Sequence, residues 1–467
     1  MKVLPHAGRW CFINPVFVSL AEDAGGSAGQ RHNWVLEKMD ILKSGGFGRR
    51  AFISGLGAAL LAGGVSASLA QDVIQDVLKA PKRGSWDDLF DAQASRKKTK
   101  VGSTLPIFSP QTATNIEAEI LEYQNIVAQG GWPQVPADKK LKIGVNDPSV
   151  SALRKRLMVS GDLSTTAGLG NSFDSYVDAA VKRFQARHGF PADGVIGKYT
   201  FAALNVTAQV RLGQLETNLV RLRSMQGFLG ARYVMVNIPA AQIEVVENGR
   251  VTQRHTAIVG KIDRQTPILN SKITNIVVNP YWNAPVSIVQ KDIIPEMRKN
   301  PTYLVDNHIH LIGPDGQEVD PTAVDWSSNE AVNYRFRQDP GTNSAMASMK
   351  INFPNPHDVY MHDTPKQGLF NKMLRFESSG CVRVQNVRDL GTWLLRDTPG
   401  WGRKEIEAAI ATGGNQEVPL AEPVPVYFTY ITAWSTGDGV AHFRDDIYQR
   451  DGVDALAIGT QQAGAQL

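Results

Sequence analysis

Val359-Tyr360-Met361-His362-Asp363-Thr364-Pro365 and Ser378-Ser379-Gly380-Cys381-Val382-Arg383-Val384 are the two stretches on which the chain turns. The first is short and apolar as far as His362, which suits an interior strand. It then closes in Asp363-Thr364-Pro365, a turn that would expose the imidazole. The second puts a cysteine behind small residues. A cysteine needs a nearby base to become a thiolate at neutral pH, and imidazole is the usual partner. Cys381 is therefore the candidate nucleophile and His362 its base. Ser378, Ser379 and Gly380 let a substrate carbonyl approach the backbone, so the N–H groups of Gly380 and Cys381 are candidates for an oxyanion hole. A third group must orient the imidazole. Either the Asp363 carboxylate or a nearby backbone carbonyl would serve, and the sequence does not choose. Arg383 suits a carboxylate, the substrate's or a structural one, because guanidinium matches that planar, two-pronged partner.

A lone cysteine is commonly a small buried hydrophobe. The context of this one differs. Only Cys11 and Cys381 occur in 467 residues, too few for a disulfide scaffold. Arg49-Arg50-Ala51-Phe52 precedes an apolar run from Ile53 to Val65, ending in small residues near Ala70. That is the build of a cleavable signal peptide, with a twin-arginine or a general secretory route both open. Met39 would give it an ordinary length. Cleavage would remove Cys11 and leave Cys381 as the sole thiol in an oxidising, periplasmic compartment, where it could not pair within its own chain. The run is too short and too rich in Gly and Ala for a lasting membrane span.

Two or three domains are expected from the length, and 42% hydrophobic with 20% charged residues describes globular ones. A net charge of +4 with mixed signs gives no footprint for nucleic acid. Residues 71–113 read as a linker with a short helix near Trp86–Leu89. Residues 114–146 read as a helical segment, with Ile116, Ile120, Tyr123 and Ile126 on one face. Residues 147–206 read as a three-helix module: Asp147 caps a helix carrying Val150, Leu153 and Leu157, a second carries Val177, Val181 and Phe184, and a third carries Phe201 and Leu204. From 207 to 451 the pattern is a connecting helix over Arg211–Leu222 and then strands. These are Gln242–Glu247 and Arg250–Ile258 around Asn248-Gly249, then Ile273–Val278, His308–Ile312, Gln317–Val319, Val359–His362, Val424–Trp434 and Val440–Phe443. A polar, helical or irregular insertion at about 292–337 interrupts them, and 452–467 is a tail. The fold class is α+β, with a β-rich catalytic domain of mixed strands. His308 and His310 share a strand face, but zinc needs three or four ligands and no further partner stands at a suggestive spacing. No metal and no cofactor are expected.

His362 followed by Ser378-Ser379-Gly380-Cys381-Val382-Arg383 resembles the signature of the L,D-transpeptidase catalytic (YkuD-type) family. Many members carry a histidine where this chain has Ser379. Ala180-Val181-Lys182-Arg183-Phe184-Gln185 with His188-Gly189 and Asp193-Gly194-Val195-Ile196-Gly197 resembles the peptidoglycan-binding-domain family of three-helix modules. Together they are similar to the large periplasmic branch, a mixed β-sandwich with a lid over the active site. The resemblance implies a donor that is a peptidoglycan stem ending in diaminopimelate-D-alanine, a thioester on Cys381, and an amine acceptor on another stem or on a wall-anchored protein. Water as acceptor would make a hydrolase, and an idle site would make a wall-binding scaffold. Tyr334, Arg335 and Arg337, and Trp282 with Asn283 and Pro285, resemble segments that border the cleft. The resemblance further implies that carbapenems acylate the cysteine.

Overall fold

A computed structural model describes residues 103–109, 111–225, 229–437 and 439–452. The expected signal segment, the short helix near Trp86 and the tail beyond 452 lie outside them.

The helical readings hold. Helix α1 (Thr112–Ala128) buries Ile116, Ile120, Tyr123 and Ile126. In the module, α2 (Pro148–Val159) starts where the Asp147 carboxylate accepts from the Ser149 N–H, and α3 (Ser175–Arg187) where Asp174 accepts from Tyr176 and Val177. With α4 (Lys198–Asn205) these helices close a core around Val150, Leu153, Leu157, Val177, Val181, Phe184 and Leu204. Helix α5 (Ala208–Ser224) packs in a second core with α1.

Nine strands make one mixed sheet: β1 (Arg232–Asn237), β2 (Gln242–Glu247), β3 (Arg250–Gly260), β4 (Leu269–Val278), β8 (Met349–Asn352), β9 (Met361–His362), β10 (Phe376–Ser378), β11 (Val382–Val384) and β12 (Gln416–Thr429). The order is β10-β3-β11-β9-β8-β4-β12-β1-β2, and β2 also pairs with β3. That pairing closes the sheet, so the two layers expected of a sandwich are opposite walls of a closed structure around one core. Asn248 and Gly249 both have positive φ, the geometry that a two-residue hairpin between β2 and β3 requires. Strand β1 is buried on both faces. Val234 and Val236 face the sheet's inner core, while Tyr233 and Met235 face α1 and α5.

Several expectations change. The long aromatic strand begins at Gln416 and ends at Thr429, and Ala433–Ser435 is a separate strand, β13, paired with β14 (Ala441–Phe443). Pro419 and Pro423 hid its first half, and the register shifts between Pro419 and Val424. Gln317–Val319 forms no strand, only a bridge from Glu318 to Ile312. The supposed linker is docked from Thr104 on. Its carbonyl accepts from Val251, the Ile107 N–H donates to Glu244 at 2.8 Å, and Ile107 and Phe108 are buried. Helices α6 (Val387–Leu394) and α7 (Arg403–Thr412), unread in the sequence, cover the inner core through Leu390, Leu394 and Ile406.

The insertion is a small domain of its own. It runs from β5 (Trp282–Asn283) through β6 (Ile309–Ile312) to β7 (Arg335–Gln338), so it starts before residue 292, and its last part is strand rather than helix. Ile293, Leu304, Leu311 and Phe336 give it a separate core.

The module is locked to the β-rich domain by buried polar groups. Arg187 donates to both oxygens of Asp162, at 2.8 and 2.6 Å, and to the Ala441 carbonyl on β14. The His188 ring stacks on Phe184 and on Phe443 of β14, at 3.9 and 5.6 Å between centroids. Arg187 and Asp162 side chains are each 5% exposed, so removing one strands the other's charge in the interior. Asp162→Ala should cost about 3–5 kcal/mol in denaturant melts, the range for breaking a buried pair.

Candidate active site

Strands β9 and β11 are parallel neighbours, with Met361 beside Val382 and His362 beside Arg383. Met361 and Val382 point into the inner core and are fully buried. By strand parity, Tyr360, His362, Cys381 and Arg383 take the opposite face. The Val382 N–H donates to the Tyr360 carbonyl at 3.0 Å, so Cys381 lies abreast of Tyr360 and diagonal to His362. On the other side of β9, β8 pairs Lys350 with His362.

The cysteine loop is tied internally. Ser378 Oγ donates to the Cys381 carbonyl and accepts from the Gly380 N–H at 3.2 Å. Gly380 has φ of 113°, which a side chain would strain. Its carbonyl accepts from Thr266 Oγ1 at 2.8 Å. The Gly380 N–H thus has a partner within the loop, and it and the Cys381 N–H are the two candidate oxyanion-hole donors. Ser378 shapes the loop through these two bonds.

The orienting group is a carbonyl. His362 Nδ1 donates to the Asp363 backbone oxygen at 2.6 Å. That bond puts the proton on Nδ1 and leaves Nε2 with its lone pair. The Asp363 carboxylate does something else: it accepts from the Ser348 N–H and hydroxyl and from the Thr364 N–H, which fastens the turn. His362 is 7% exposed. Burial, then the Arg383 guanidinium, hold its pKa down to about 3, so the ring is neutral at physiological pH. Burial raises the Cys381 thiol, against hydrogen bonding from Tyr360 and the positive charges of Lys350 and Arg383. The resting site is thus a thiol beside a neutral imidazole, not an ion pair.

Tyr360 escaped the sequence reading. Its phenol lies near enough to the Cys381 sulfur and to the Trp282 indole to interact with both, which brings Trp282 to the site, and burial with the neighbouring sulfur pushes its pKa well up. The available signal was its position two residues before His362 on the same strand face. Lys350 also went unread, because β8 was not recognised as a strand. Ser379 is exposed and accepts from Arg264 Nη1 at 3.0 Å. Arg264 also pairs with Asp292 of the insertion, at 3.1 Å through Nη2, so the insertion is fastened beside the cysteine loop. Tyr334 bonds Glu330, and Arg337 lies over the Tyr281 ring at 5.1 Å. They and the exposed Arg335 belong to the insertion's sheet and make no bond to Cys381 or His362.

His310 sits between Glu318 Oε1 and Asp339 Oδ2, at 2.6 and 2.8 Å, whereas His308 is an exposed positive-φ turn residue. Among the described residues no group of three His, Cys, Asp or Glu side chains is placed to hold a metal ion. No described helix is long and apolar enough to cross a membrane.

Residues 231–401 match the family model of the L,D-transpeptidase catalytic domain (YkuD). Residues 146–204 match the model described as "Putative peptidoglycan binding domain". A Haemophilus influenzae protein named "Putative L,D-transpeptidase" is 35% identical over 239 residues, 51% of this chain and 48% of that protein. The chain thus spans about half the length of that curated relative. Among solved structures, an L,D-transpeptidase from Xylanimonas cellulosilytica is 16% identical, with 63% of this chain and 99% of that one covered and a TM-score of 0.21. One from Stackebrandtia nassauensis is 15% identical, with 64% and 97% covered and a TM-score of 0.24. Superpositions this loose add nothing to the fold described above.

Two outcomes follow for the catalytic domain's titrating groups. Iodoacetamide should alkylate Cys381 at a rate that climbs steadily from about pH 6 to about pH 10, with no acidic plateau of the kind an imidazolium–thiolate pair produces. Tyr360→Phe should slow it, by removing a donor to the thiolate. For His310, hydrogen bonds to Glu318 and Asp339 raise the pKa. Its stabilisation of the insertion is complete below the ordinary histidine range and is lost as pH rises through the raised value. Hydrogen exchange in β6 and β7 should quicken across that rise beyond its intrinsic pH dependence, and His310→Gln should abolish the extra step.

Proposed function

We propose that the chain is an exported L,D-transpeptidase that remodels peptidoglycan through a thioester on Cys381. The observation that carries this reading is the shared outer face of β9 and β11, where the cysteine lies diagonal to a buried, neutral histidine with a free Nε2. The donor is a stem tetrapeptide ending in diaminopimelate-D-alanine. Cys381 Sγ attacks the carbonyl of the L-centre while its proton passes to His362 Nε2. The Cys381 N–H faces the oxyanion. The carbon–nitrogen bond then breaks, His362 returns the proton to the departing D-alanine amine, and the thioester remains. An acceptor amine, from another stem or from a wall-anchored protein's lysine, attacks that carbonyl. It gives its proton to His362, the carbon–sulfur bond breaks, and Sγ regains the proton.

The insertion, fastened through Arg264 to the cysteine loop, serves as a lid that keeps water from the thioester. Tyr334, Arg335 and Arg337 line its approach. The export signal before Ala70 directs the chain to the periplasm. The helical module acts as a scaffold, since α3 spends its C-terminal end on the catalytic domain rather than on a ligand.

Incubating the purified protein with sacculi, then digesting them and weighing the muropeptides, should show D-alanine release and new 3→3 cross-links. Cys381→Ala should show neither, and His362→Ala should be at least ~100-fold slower, the scale for a positioned base. A carbapenem should add one drug mass on the peptide containing Cys381. Products trimmed by water alone would replace the transferase reading with hydrolysis. Normal turnover by Cys381→Ala would end both.

A further inference from the structure

Two cations flank the catalytic histidine in register. Lys350 on β8 and Arg383 on β11 pair with His362 from opposite sides, and all three side chains share the outer face. Neither cation has a carboxylate in ion-pair contact among the described residues. The acids that act on Lys350, Glu417 and Asp358, do so only at a distance, and Glu417 is bound by Asn275. The acid that acts on Arg383 is Glu377, which is held by Lys372. Arg383 Nε is buried with no hydrogen-bond partner. The Lys350 ammonium rests 4.2 Å over the Tyr360 ring, which fixes its position without neutralising it.

Both side chains are only partly exposed, and a charge drawn partly out of water without an ion-pair partner is costly unless a ligand supplies the counter-charge. Cys381 supplies at most one negative charge, and none as the resting thiol. Two positive charges therefore leave room for an anion. The position of His362 says which anion. The proton on Nε2 goes to the departing amine, so that nitrogen must come to the imidazole. In an α-amino acid the carboxylate is one carbon away from the amine. The carboxylate of the leaving residue then falls beside His362, between the two cations.

We propose that Lys350 and Arg383 together form the receptor for the terminal carboxylate of the donor peptide, the one carried off with the leaving residue. Arg383 offers a fork for both oxygens, and Lys350 a point charge on the other side. The site then selects donors whose scissile bond joins the last residue of a stem, and rejects stems whose terminus is amidated or extended. This deepens the thioester reading and rests on it.

The test compares a synthetic stem tetrapeptide with a free terminal carboxylate against the same peptide as a terminal carboxamide. The intact protein should favour the acid in kcat/KM by about ten- to a hundredfold, the scale of a charged hydrogen bond. Lys350→Met should collapse that ratio to within about threefold, and Lys350→Arg should preserve most of it, which separates lost charge from lost packing. Equal slowing of both donors by Lys350→Met would overturn the receptor and leave Lys350 as support for the thiolate. An intact protein indifferent to the two donors would overturn it as well. Calorimetric binding of both peptides to Cys381→Ala, which needs no turnover, separates this failure from that of the transpeptidase reading. A protein without turnover that binds the acid more tightly than the amide, and loses the difference with Lys350→Met, keeps the receptor while the reaction is revised. Equal binding of the two peptides overturns the receptor whatever the reaction.

Discussion

The parallel pairing of β9 with β11 is the constraint from which the site follows. Side chains alternate across a strand, so with Met361 and Val382 turned into the inner core, their neighbours must turn out. A slip of one residue would bury Cys381 and Arg383 in the core and turn Val382 outward. Closure of the sheet through β2 and β3 prevents that slip, because β11 is also pinned to β3 on its other side, Arg383 beside Ile258. Precision at the nucleophile thus comes from strands that take no part in the chemistry.

The electrostatics of the site run against the simplest picture of a cysteine enzyme. A thiolate–imidazolium pair needs an environment that tolerates both charges. Here burial and two nearby cations disfavour an imidazolium, while the same cations and the Tyr360 hydroxyl soften the cost of a thiolate. On the thioester reading proposed above, the histidine therefore accepts a proton only as the sulfur attacks and passes it on at once. Trp282, a residue of the insertion, lies beside Tyr360 and so brings the insertion close to this cluster. The Arg264–Asp292 pair makes a second link on the far side of the cysteine loop.

Much was legible because it is written in local patterns. The helices of the module announce themselves through apolar residues at helical spacing and through Asp147, and each of those apolar positions is buried. Asn248-Gly249 marked the β2–β3 hairpin, since few other pairs adopt two positive φ angles cheaply. The short strands β8 and β10 escaped because three or four residues carry too little alternation to stand out from a loop. Strand β12 was misplaced because its prolines imitate a break. The docked segment around Ile107 looked like linker because its anchors, Glu244 and Val251, are far away in sequence.

The sequence by itself determined the candidate pair, Cys381 and His362, along with the helical module and the β-rich character of the larger domain, since these depend on residue identity and short-range spacing. Only the tertiary structure decided that the Asp363 carbonyl rather than its carboxylate holds the imidazole, that the Gly380 N–H has Ser378 as a partner, and that Tyr360, Trp282 and Lys350 reach the site. The physical reason is common to all of them. A hydrogen bond is set by the direction in which a group points after strands have paired, and pairing brings together residues whose separation along the chain carries no trace of it.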